Sequence, residues 1–149
     1  MTQYIYIASP MKLPQGSFGL NPVSSEQSNV YKSELDFAHL YFENNYDSER
    51  KRKFSYSPHF SFAHQVAVYV NYIPFKYRLK GTAEEEKCLE ILYSYLEEAL
   101  HSSGVVEYFT SLNGKEDLEI LKRRNVRWME LKTPYDLVLE DREFWVITL

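Results

Sequence analysis

The chain has 149 residues, a net charge of −4 and a pI near 5.6, with 44% hydrophobic and 26% charged side chains. At this length the expectation is one domain over 1–149, with enough apolar material for a single core. The acidic balance excludes the global basic footprint of a nucleic-acid binder, and the lone Cys88 excludes an internal disulfide or a thiolate metal cage.

Residues 4–9 read as a first strand, ended by Pro10. The opening MTQYIYIASPMKLPQG has no leading positive charge, and its apolar run is too short for a leader peptide. No stretch approaches the roughly 18 apolar residues of a membrane span. With the single cysteine, these features point to a cytoplasmic protein. Three prolines (Pro10, Pro14, Pro22) and two glycines (Gly16, Gly19) then argue for a loop over 10–28. Loops this long in compact domains often carry function. This one either packs down through Leu13, Phe18 and Leu20 or serves as a lid.

Over 31–45 two periods compete. Tyr31, Leu35, Ala38 and Phe42 keep helical spacing, whereas Leu35, Phe37, His39 and Tyr41 alternate. Aromatic density and the Asn44-Asn45 stop favour a strand over 35–43. The basic run Arg50-Lys51-Arg52-Lys53 follows a polar break. From Phe60, the residues Phe62, His64, Val66, Val68, Val70 and Tyr72 share one face, which predicts a half-buried central strand closed by Pro74.

The clearest element is a helix over 83–103. Thr82 is a good N-cap, with Glu85 at capping-box distance. Cys88, Leu89, Leu92, Tyr95, Leu96, Ala99 and Leu100 form one apolar stripe, and Gly104 fits the position just past the end. Beyond it, 105–112 reads as a strand and Asn113-Gly114 as a hairpin turn, with Leu118 and Ile120 on the returning strand. Val126-Arg127-Trp128 alternates again, and Thr133-Pro134 opens a short turn. Residues 137–139 and 144–147 would close the chain as a hairpin. Neighbouring strands with one long helix between two groups predict an α+β fold: a mostly antiparallel twisted sheet packed by that helix, with a C-terminal meander of short strands.

The hexapeptide Ile5-Tyr6-Ile7-Ala8-Ser9-Pro10 resembles the first strand and turn of nucleoside 2-deoxyribosyltransferases, with Ser9 where that family usually carries Gly. The resemblance implies a parallel α/β sheet. It stops at Pro10, no later segment matches the family's catalytic Glu, and the antiparallel pattern of the chain runs against it.

Chemistry-bearing clusters are sparse. His59 and His64 on one strand would face opposite ways, and His64 on an apolar face reads as a satisfied core histidine, so no metal or cofactor is expected. The carboxylates Glu116, Asp117, Glu140, Asp141 and Glu143 fall in predicted turns, where solvation keeps them ordinary. Cys88 lies on the helix stripe as a buried spectator. The basic sets 50–53 and Lys122, Arg123, Arg124 and Arg127 suit solvated turns or sheet edges better than a phosphate backbone.

Aromatics reach 16%, with 13 Tyr, nine Phe and two Trp. Tyrosine joins a large apolar body to a polar tip, which suits a packed sheet and a contact surface alike. With no catalytic motif, the leading expectation is a non-catalytic protein-binding module, in its specific form an immunity- or antitoxin-like inhibitor of a bacterial toxin. The expected contacts are Glu84, Glu85, Glu86, Glu97 and Glu98 on the helix's outer face, with Tyr56, His64 and Trp128, and the partner is another protein. The alternative is a small-molecule binder or enzyme with residues 10–28 as a lid over a Tyr/His-lined pocket.

Overall fold

The computed structural model describes residues 2–69, 71–74 and 81–149. A seven-stranded sheet is built from β1 (Gln3–Ser9), β2 (Gly16–Phe18), β3 (Leu40–Asn44), β6 (His64–Tyr69), β7 (Val105–Leu112), β8 (Lys122–Arg127) and β9 (Glu143–Thr148), in the order β2-β3-β6-β1-β7-β9-β8. A small ribbon, β4 (Tyr46–Asp47) with β5 (Arg52–Lys53), stands beside it. Every pairing is antiparallel except β8 with β9, so the molecule is α+β with a mostly antiparallel sheet. No described helix is long and apolar enough to cross a membrane.

The long helix α2 (Ala83–Ser103) has the boundaries its caps dictate. The Thr82 hydroxyl accepts from the Glu85 amide at 3.2 Å, and Gly104 takes a left-handed φ of 80° while its N–H reaches the Leu100 carbonyl at 2.7 Å. Its stripe (Cys88, Leu92, Leu96, Ala99, Leu100) packs on one sheet face made by Ile5, Ile7, Phe42, Val66, Val68, Val106, Tyr108, Trp145 and Ile147. Period-two alternation sends their neighbours to the opposite face, where Tyr6, Ala67, Phe109 and Phe144 form a second buried cluster.

Four expectations need correction. Over 31–45 both periods are right in part: α1 (Glu34–Phe37) occupies the first half, capped by Ser33, and β3 the second. Strand β6 starts only at His64, because Phe60 packs across the sheet against Phe109 and Phe144 instead of extending within it. Val70, the expected continuation, lies outside the described residues. Asn113-Gly114 does turn the chain, with Lys115 N–H bonded to the Leu112 carbonyl at 2.9 Å, but no returning strand pairs with β7. Residues 113–121 instead cross the second face, and β8 joins the far edge parallel to β9. The expected 137–139 strand is likewise absent. Pro134–Leu137 is a 3₁₀ turn beside α2, so β9 pairs with β7 and β8.

The loop read over 10–28 contains edge strand β2, whose residues pair Gly16 with Phe42 and Phe18 with Leu40. It is fastened further by Tyr95 Oη donating to the Pro14 carbonyl at 2.5 Å and by Asn44 Nδ2 donating to Gln15 Oε1.

Candidate functional site

With α2 on one face of the sheet, the other face is closed over only in part. The cover is made by 54–63 and 113–121, and buried polar groups hold it. The Glu107 carboxylate accepts from the Ser61 and Phe62 amides at 2.8 and 3.2 Å. Gln65 accepts from the Tyr56 amide at 2.8 Å and donates to the Phe62 carbonyl at 2.9 Å. Ser57 Oγ donates to the Glu116 carbonyl at 2.7 Å, and His59 Nε2 meets the Leu118 carbonyl at 2.7 Å.

A chain of aromatic rings runs from the open side of this face to the cover. Tyr69 meets Tyr4 edge-on at 5.9 Å, Tyr4 stacks on Tyr6 at 6.1 Å, Tyr6 leans on Tyr56 at 5.7 Å, and Tyr56 meets Phe54 at 4.9 Å. The register Phe42↔Val68 sets Tyr41 beside Tyr69 on the next strand. Tyr41, Tyr69 and Phe54 are 54%, 51% and 41% exposed. Leaving a ring this open forgoes much of the roughly 1.5–3 kcal/mol that full burial would contribute. Exposed aromatic rings grouped on one face are candidates for an interaction surface.

The phenols of Tyr6 and Tyr56 stay neutral. Burial pushes Tyr6 well above the usual phenol range, reinforced by its hydrogen bond to Glu116 Oε1 at 2.7 Å. Tyr56 rises through burial and then the Glu43 charge, and it donates to the Asn44 carbonyl at 2.5 Å. Burial alone would raise Glu116. The bonds from Tyr6 and from the Gly114 and Glu116 amides outweigh it and hold the carboxyl below its ordinary 4.5.

The eight residues expected to form a contact set are scattered. Glu86 and Glu98 are exposed on α2 and Glu84 and Glu97 half-buried, all on the side of the sheet opposite the tyrosine face. Glu85 is buried at 7% exposure within the N-cap of the helix. Trp128 lies half-buried against the Tyr93 ring of α2 at 4.6 Å. His64 sits at the start of β6 beside a cleft, half-buried, and its ring has no hydrogen-bond partner among the described residues, so it is not the satisfied core histidine expected. Only Tyr56 belongs to the aromatic face. Tyr4, Tyr41, Tyr69 and Phe54 are not among the expected contacts. Their signal was present in β1, where Tyr4 and Tyr6 alternate against Ile5 and Ile7.

The carboxylates also need correcting. Glu143, expected in a solvated turn, is fully buried and accepts from Trp145 Nε1 at 2.7 Å and the Glu140 amide at 2.8 Å. Being the first residue of β9, it is drawn inward with the strand. Cys88 is buried as expected, and burial pushes its thiol up to about 11, with Lys87 only partly opposing. Among the described residues no group of three metal-ligating side chains converges. The central strand β1 is antiparallel to both neighbours, unlike the parallel sheet of the deoxyribosyltransferases. Compared with known proteins, the chain matches no family model, no curated protein and no solved structure.

Proposed function

We propose that the chain is a protein-binding module that docks its partner through the open aromatic part of the sheet. The observation that carries this is the exposed row Tyr41, Tyr69 and Phe54, backed by the rigid stack of Tyr4, Tyr6 and Tyr56. Rings held by a sheet lose little freedom on binding, and tyrosine supplies both contact area and a hydrogen-bonding tip. The immunity- or antitoxin-like form of this reading draws support from the net charge of −4, which favours encounter with a basic partner. The exposed carboxylates of α2 lie on the far side of the sheet. Their contribution is to long-range steering, while contact falls to the tyrosines.

The test compares two double variants for recovery of a stoichiometric partner from source cells. Tyr41→Ser with Tyr69→Ser should weaken capture by roughly 1,000-fold, since central aromatic contacts are worth about 2 kcal/mol each. Glu86→Lys with Glu98→Lys should slow association and leave the complex intact. Equal capture by wild type and the tyrosine variant, or no partner at all, contradicts the proposal.

A second reading, ligand binding beneath residues 10–28, is favoured by a cavity of about 350 Å³ walled by Lys12, Leu13 and Gln15 of that segment together with Tyr46 and His64.

A further inference from the structure

Resting on that second reading and independent of the protein-binding one, the geometry points to a site for a phosphate monoester in this cavity, with two lysines and an imidazole around the anion.

The cavity opens where the 10–28 segment crosses the end of β3 and the start of β6, with the small β4–β5 ribbon as its far wall. Its volume of about 350 Å³ falls at the lower end of the roughly 300–1,000 Å³ typical of small-molecule sites. Lys12 comes from the segment, Lys53 from β5 and His64 from β6, so three elements separated in the chain bring their cationic or ionisable groups to one opening. Among the described residues no carboxylate lines it, in a chain that carries 21 acidic residues against 17 Lys and Arg. Neither lysine is ion-paired among the described residues, and the His64 ring is without a hydrogen-bond partner there.

The amides around the opening are already committed and form its frame. Asn44 bonds Gln15. Asn45 Nδ2 donates to the Ala63 carbonyl at 2.6 Å, and Gln65 is held by Ser55, Tyr56 and Phe62. A frame of committed amides with uncommitted cations at its opening suits an oxyanion. A phosphate monoester brings about −1.5 to −2 charges and three acceptor oxygens, which match two ammonium groups and an imidazole better than a single carboxylate would. The remaining wall, Leu13, Val66 and the Tyr46 ring, is apolar and suits the organic part of the ester.

Calorimetric titration of the full chain with phenyl phosphate, inorganic phosphate and phenol tests this. Both phosphates should bind, the ester more tightly, and phenol should not. Lys12→Gln with Lys53→Gln should weaken phenyl phosphate by about tenfold or more, with the unliganded melting temperature unchanged because both side chains are exposed. Phenyl phosphate binding that survives the double substitution overturns the inference, because the anion is then held elsewhere. Phenol binding as tightly as phenyl phosphate overturns the anion assignment and leaves the ligand reading standing. Silence toward all three probes overturns both.

Discussion

Glu116 ties three separate segments together, two through its carboxyl group and one through its backbone carbonyl. Its side chain receives Tyr6 from the central strand and Gly114 from the turn, while its carbonyl receives Ser57 from the covering segment. A carboxyl whose folded pKa lies below its unfolded one contributes stability that is fully present above the ordinary value of 4.5 and is lost as pH falls through the folded value. Glu116→Gln should therefore lower stability at neutral pH by about 1 kcal/mol and flatten the loss of stability on acidification. Denaturant midpoints measured across the acidic range check both. An unchanged acid profile would show that the Tyr6 bond contributes nothing. At the same scale, buried Glu143 shows why a carboxylate in this chain misreads as turn solvent: β9 carries it inward, where it answers the Trp145 indole and the Glu140 amide.

Among the elements, α2 was fully legible, because cap, dipole charges, stripe and terminal glycine are all local signals that agree. Removing the cap with Thr82→Ala should cost about 1 kcal/mol and lower the thermal midpoint without altering the sheet, as measured by circular dichroism melting. β1 and the middle of β6 were legible for the same reason, since alternation is written along each strand. The far edge was not. Asn113-Gly114 is a true turn signal, but what the chain pairs with afterwards depends on Tyr6, Ser57 and His59, distant in sequence, which hold 113–121 across the second face. β8 consequently lands parallel to β9. There Arg123 lies over the Phe144 ring and Arg124 over the Trp145 ring, each at 5.0 Å, so the basic run guards an edge strand, one of the two roles its composition suggested.

For the whole molecule, the decisive property is that one helix shields one face of a seven-stranded sheet while two irregular segments shield part of the other. Tyrosine abundance suits a packed sheet and a contact surface alike, but does not say which rings are left open, because coverage is a tertiary quantity. That is why Tyr56 alone of the expected contact residues reached the aromatic face, while the helix carboxylates ended up behind it. The central claim is that Tyr41 and Tyr69 are the partner-facing surface, and their phenol rings can be reported on directly. Residue-resolved tyrosine nitration should modify Tyr41 and Tyr69 in the isolated chain and spare them in the isolated complex. Tyr135, exposed on the turn beside α2, should react equally in both. Undiminished modification of Tyr41 and Tyr69 in the complex would contradict the account.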